Sequence, residues 1–199
     1  GNDQRPGNGQ YFKGTIYAVN VFEGVRTADQ IQSDKNGVAQ NEAGLVFSKY
    51  YTGEEEITEI GGETLRPQTF TADVINEISA LNATPKTYEA IINLPQGFAD
   101  RGGAVISNYS ESASNSTSIE IYTQGRVRLY IVNNATKIDC IFNTDIRALG
   151  PVHIAVTVDG TVASLYVNGE LKESKTLALG QPDTTEKFVI GGDWRYKNA

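Results

Sequence analysis

The chain is predicted to be all-β: two antiparallel sheets packed face to face as a jelly-roll sandwich, with helix limited to single turns. Three observations carry this. Short apolar runs rich in β-branched and aromatic residues recur along the chain, separated by clusters of Gly, Asn, Asp and Ser, and turn signals at about 8–12-residue spacing mark a sandwich. Several runs alternate apolar with polar residues, as a strand with one buried face must. No stretch keeps apolar residues at helical spacing beyond a turn.

In chain order, residues 1–9 are a turn-rich opening. Thr15 to Phe22 is a strand, with Thr15, Tyr17, Val19 and Val21 on one side and Ile16, Ala18, Asn20 and Phe22 on the other. Both sides are partly apolar, so it lies inside a sheet. Thr27, with Gln30 three residues on, starts a helical turn as a capping box. Residues 33–44 are a polar linker. Leu45 to Thr52 and Thr69 to Ile75 are strand candidates, with loops at Glu54–Glu56 and Gly61–Glu63; the acidic trio reads as a solvated loop. Tyr88 to Leu94 is a stronger strand, and residues 97–118 are Gly- and Ser-rich around the short apolar run Ala104–Ser107.

From Ser118 the pattern becomes a meander. Ile119 to Tyr122 turns at Gln124-Gly125, and Arg126 to Val132 returns with Val127, Leu129 and Ile131 inward and Arg126, Arg128 and Tyr130 outward. A turn at Asn133-Asn134 leads to Thr136–Phe142, and another turn is predicted between Asp139 and Asp145. Val152, Ile154, Val156 and Val158 fall at every second position. Asp159-Gly160 and Asn168-Gly169 then turn the chain on either side of Val162–Val167. Leu177–Leu179 and Phe188–Ile190 are predicted as two last short strands.

Composition narrows the function. A chain of 199 residues fits one domain with an extension. The net charge of −7 and isoelectric point near 4.8 argue against nucleic acid and anionic membrane surfaces. No apolar run approaches the ~20 residues of a membrane span. The lone Cys140 excludes an internal disulfide and a cysteine-based metal site, and its phase with Ile138 and Phe142 reads as burial. The lone His153 excludes a multi-histidine site. Abundant Thr, Ser, Asn and Gly suggest a secreted or cell-surface protein.

The stretch PVHIAVTVDGTVASLYVNGEL from Pro151 resembles the centre of laminin-G-like (concanavalin A-like) jelly-roll domains, with matches at His153, Asp159, Gly160, Leu165, Tyr166, Val167, Asn168 and Gly169. KFVIGGD at Lys187–Asp193 and TPKTYEAIINLP at Thr84–Pro95 resemble a late and an early strand of that family. YFKGTIYAVNVFEGVRTADQI at Tyr11–Ile31 resembles its final strand and the helical turn after it. The family's last segment therefore stands first. The chain ends agree: Gly1, Asp3, Arg5 and Asn8 recur as Gly191, Asp193, Arg195 and Asn198, an offset of 190 residues. The expected organisation is residues 1–32 as a final strand and turn that docks into the sandwich, in cis or by exchange in a dimer, 33–44 as linker, and 45–199 as the sandwich, next to neighbouring repeats.

The resemblance implies a binding or adhesion module for a carbohydrate or extracellular protein; a structural spacer or accessory domain beside an enzyme is the alternative. A glycosidase is disfavoured, because the paired carboxylates of sandwich glycosidases are missing: Glu120 stands alone in its strand. His153 has no Gly-x-Ser-x-Gly elbow to serve as base of a triad, and its family position is structural. No catalytic residue is expected. Calcium, bound by some relatives, has Asp3 and Asp193 as positional candidates, but Tyr17-Ala18 replaces the acidic residue of the last strand, and no metal ligand set is assigned. Sugars stack on aromatic faces, which singles out Tyr122, Tyr130, Tyr166 and Trp194 as ligand-binding candidates. Asn82, Asn108, Asn115 and Asn134 head glycosylation sequons.

Overall fold

The computed structural model describes residues 12–35, 42–50, 58–60, 63–65, 68–69, 76–78, 86–98, 103–108, 114–183 and 188–192. Asp3, Glu54–Glu56, residues 70–75, Asn82, Asp193 and Trp194 lie outside them. Strand β1 (Thr15–Phe22) leads into helix α1 (Ala28–Asp34) and β2 (Leu45–Tyr50). Short strands β3 (Thr58–Ile60), β4 (Glu63–Leu65), β5 (Gln68–Thr69) and β6 (Asn76–Ile78) precede β7 (Thr87–Asn93) and β8 (Gly103–Ser107). The meander is β9 (Ser116–Ile121), β10 (Arg126–Asn133) and β11 (Thr136–Asp145). Then come β12 (Val152–Asp159), β13 (Val162–Val167), β14 (Glu170–Thr176) and β15 (Phe188–Ile190).

The strands form two antiparallel sheets. One runs β14-β13-β12-β7-β1-β2, with β5 beside β1; the other runs β11-β10-β9-β8-β15-β6, and β3 and β4 pair apart. Inward residues of both sheets make one core. Val152, Ile154, Val156 and Leu165 from the first sheet face Val127, Leu129, Ile131, Phe142 and Phe188 of the second. Each such side chain contributes about 1.5–3 kcal/mol by leaving water. The fold is the two-sheet sandwich that the strand spacing predicts.

β1 occupies the interior of its sheet, between β7 and β2 of the same chain. Its register shifts between Ile16 and Ala18. Strict alternation therefore fails there: Ile16 joins Val19 and Val21 in the main core, while Tyr17 and Ala18 pack with Ile91 in a separate small cluster. The Phe12 N–H donates to the Gly191 carbonyl at 2.8 Å, so the two ends of the described fold lie side by side.

α1 begins with the anticipated capping box, the Thr27 N–H donating to Gln30 Oε1 at 2.9 Å and the Gln30 N–H to Thr27 Oγ1 at 3.3 Å. Its seven residues make nearly two turns. Ile31 is fully buried beneath it. No helix among the described residues is long and apolar enough to cross a membrane.

Two strand assignments change. Leu177–Leu179 is not a strand; Leu177 is buried and its N–H donates to the Thr161 carbonyl, and Ala178 and Leu179 form a bend. The strand is β14, whose sequence ELKESKT carries charges because it lies at the sheet edge, where charge blunts further pairing. No turn separates Asp139 from Asp145. β11 runs for ten residues through both, and an irregularity opposite Arg126–Arg128 absorbs the extra length.

Candidate functional site

The outer face of β9, β10 and β11 carries a cluster of polar and aromatic side chains. With Val127, Leu129 and Ile131 buried, alternation turns Arg126, Arg128 and Tyr130 outward. Register sets Arg128 opposite Glu120 and Tyr130 opposite Asp139. The Arg128 guanidinium donates to both Asp139 oxygens at 2.7 Å and to Glu120 Oε2 at 2.9 Å. This fork geometry suits Arg and not Lys. Burial works against the cation, but the hydrogen bond to Asp139 and the charges of Glu120 and Asp139 outweigh it, and the Arg128 pKa is raised.

Both tyrosines gather on this guanidinium. Its carbon lies 4.5 Å from the Tyr130 ring centre and 5.3 Å from that of Tyr122, within cation–π range. Arg126 adds a second cation at 5.6 Å from Tyr122, held by its bonds to the Thr123 carbonyl at 3.1 Å and Thr123 Oγ1 at 3.0 Å. The two rings thus share Arg128 across the Gln124-Gly125 turn. Gly125 has φ +63°, and a Cβ there would lie 2.9 Å from Asp145 Oδ1 and collide with Arg147. The turn therefore requires glycine. It is anchored to the end of β11 by the Ile146 N–H, which donates to the Gly125 carbonyl at 3.1 Å. Beside it, the hydrogen bond from Arg147 lowers the Asp145 pKa.

The other two aromatic candidates do not join this site. Tyr166 lies on β13 opposite Ala155, on the outer face of the other sheet, and Trp194 lies outside the described residues. Sequence reasoning placed Arg126 and Arg128 outward but gave neither them nor Asp139 a role; register across the β10–β11 hairpin was the missing signal. Asn108 is fully buried and its Oδ1 accepts the Thr117 N–H at 2.5 Å, so the native fold hides that sequon from a glycosylating enzyme.

A second cluster sits on the outer face of the β12-β7-β1 sheet and is buried except at Glu42. The Arg26 N–H donates to Thr87 Oγ1 at 3.0 Å. Its guanidinium lies 4.3 Å from the Phe22 ring centre and pairs with Asp34 of α1 and with Glu42. Among the described residues, Glu89, on β7, has no hydrogen-bond partner at either oxygen, and neither ring nitrogen of His153 has one. The two approach to 3.6 Å, with side chains 0 % and 3 % exposed. Burial, then the charge of Glu89, pushes the Asp34 pKa up to about 6 against its hydrogen bond to Arg26. This arrangement places His153 in a sealed position with no access for substrate. Among the described residues, no group of three or more His, Cys, Asp or Glu is placed to hold a metal ion.

The two-sheet sandwich is the architecture of lectins and glucanases. Residues 68–199 match the family described as the concanavalin A-like lectin/glucanases superfamily, and the chain belongs to it. The matched range leaves out β1, which the fold uses inside a sheet. Among solved structures, the carbohydrate binding module CBM66 from Bacillus subtilis aligns at a TM-score of 0.35 and 14 % identity, over 59 % of this chain and 76 % of that one. No curated protein matches.

Proposed function

We propose that this chain is a non-catalytic carbohydrate-binding module of a secreted or cell-surface multidomain protein. The observation that supports this most is the sharing of Arg128 by Tyr122, Tyr130, Asp139 and Glu120 on an outward sheet face. A sugar offers an apolar C–H face and a rim of hydroxyls that both donate and accept. The tyrosine rings answer the face. Arg126 and Arg128 supply donors, and the half-exposed Asp139 supplies an acceptor. One guanidinium already engages Glu120 and Asp139, an arrangement for holding a ligand and not for passing protons to it.

A glycan array on the wild-type protein and on the Tyr122→Ala/Tyr130→Ala double variant tests this. The expected result is binding by the wild type and its loss in the variant, with the thermal unfolding midpoint nearly unchanged. Undiminished binding by the variant rules the site out. Hydrolysis of any polysaccharide by the purified chain rules out the non-catalytic reading.

A further inference from the structure

Helix α1 is strapped across the outer face of the first sheet and tied at two borders. On one side the Arg26 N–H donates to Thr87 Oγ1 of β7 at 3.0 Å, and the Arg26 side chain reaches Asp34 at the far end of the helix. On the other side Gln32 lies against the β13–β14 turn: a Cβ on Gly169, whose φ is +81°, would come within 3.0 Å of the Gln32 Cα. The same turn holds β12, since Asn168 Oδ1 accepts the His153 N–H at 3.0 Å and the Asn168 N–H donates to the His153 carbonyl at 2.8 Å. Glu89 and His153 sit on β7 and β12, the strands between these attachments.

Among the described residues, the carboxylates here outnumber the cations that could serve them. Arg26 is shared by Asp34 and Glu42. Glu89 is left with His153, whose Nε2 is 3.6 Å away, beyond hydrogen-bond reach. The other charged groups on the surrounding elements give no relief. Glu23, Asp29, Lys86 and Asp159 are exposed. Lys35 acts on Glu170, which already accepts from Lys172 at 2.7 Å. β1 and β13 carry no charged residue. Buried charge without donors is costly. One added proton removes a negative charge from Asp34 or Glu89, or places a positive one on His153 beside Glu89.

We propose that α1 is a proton-controlled strap: uptake of a proton by the Asp34–Glu89–His153 group latches it over β7 and β12, and loss of that proton releases it and opens this face. The device lies on the sheet opposite the tyrosine cluster and does not depend on the carbohydrate reading. Its sign follows from Asp34, whose pKa of about 6 in the closed state exceeds the ordinary 3.8. Closing has this support in full below about 3.8 and loses it as pH rises through about 6. Between pH 5.5 and 7.5, Asp34 alone makes opening about fourfold more frequent.

Amide hydrogen exchange of the whole chain at pH 5.5 and 7.5 tests this, expressed as protection factors so that the pH dependence of exchange itself divides out. The Ile31 and Lys35 amides, bonded to the Thr27 and Ile31 carbonyls at 3.0 and 3.1 Å, report on the helix. Their protection falls about fourfold across this range and stays well below that of β12 and β13. Glu89→Gln, which removes one charge at nearly constant shape, raises α1 protection at pH 7.5 and flattens the fall. Protection independent of pH, or a fall that Glu89→Gln leaves unchanged, overturns the strap. So does protection equal to that of β12 and β13 at both pH values, because the helix then opens only with the whole fold. Should the variant fail to fold, the wild-type profile decides alone.

Discussion

Among the described residues, one arginine–carboxylate–aromatic cluster lies on the outer face of each sheet, and the two differ in their access to water. Arg128 stacks on tyrosines, and its two carboxylate partners are both hydrogen-bonded, one of them half open to water. Arg26 stacks on Phe22 in a largely buried cluster, where it pairs with Asp34 and with Glu42, whose side chain is 35 % exposed, near a Glu89 that has no hydrogen bond among the described residues. The same residue types therefore do different work. In the first cluster Asp139 is half exposed, while Arg128 and Glu120 are nearly buried, so water reaches it at Asp139. The second has too few cations for its acids, and it ties α1 to the sheet.

Removing each arginine in turn is the sharpest way to break this comparison. Arg26→Ala strands buried carboxylates without a cation and should cost about 3–5 kcal/mol, measured by urea unfolding. Arg128→Ala leaves Glu120 unpaired but lets Asp139 turn to water, and should cost about 1–3 kcal/mol. Equal losses would erase the distinction between the clusters.

The acid surplus has a pH signature. The Asp34 pKa is about 6, against an ordinary 3.8, so the folded state holds this proton more tightly than the unfolded chain. Its contribution to stability is complete below about 3.8 and is lost as pH rises through about 6. Stability should therefore rise as pH falls from 7.5 to 5.5, and Asp34→Asn should flatten that dependence in thermal scans. Asp139→Asn is the mildest change. It removes one carboxylate from a half-exposed pair and should cost less than about 1 kcal/mol, while weakening glycan binding measurably by calorimetry.

The architecture was largely legible because strands with one buried face write it as alternation. β10 and β12 carry their inward residues at every second position, and both lie where the sequence puts them. β14 was invisible to that logic because an edge strand bathed by solvent needs no apolar stripe. The site was half legible for a reason of one residue. The sequence suggests a hairpin turn at Asn133-Asn134, which would set Tyr130 opposite Lys137. The turn is at Asn134-Ala135, with φ of 48° and 63°, and it sets Tyr130 opposite Asp139. Alanine with positive φ is rarely chosen for such a turn, so the shifted register, and with it the Arg128 fork, was hidden. The Glu89–His153 approach could not be read at all, since it depends on the lateral order of β12 and β7, which are far apart in the chain.

The central claim is that ligand binds on the Arg128 face. Backbone amide shifts followed by NMR during titration with a glycan identified on the array test it most directly. The account predicts that the perturbed amides cluster in residues 118–142, around Glu120, Arg128, Tyr130 and Asp139, with the amides of Glu89 and His153 unmoved. Perturbations centred on the β12-β7-β1 face, with residues 118–142 silent, would contradict it.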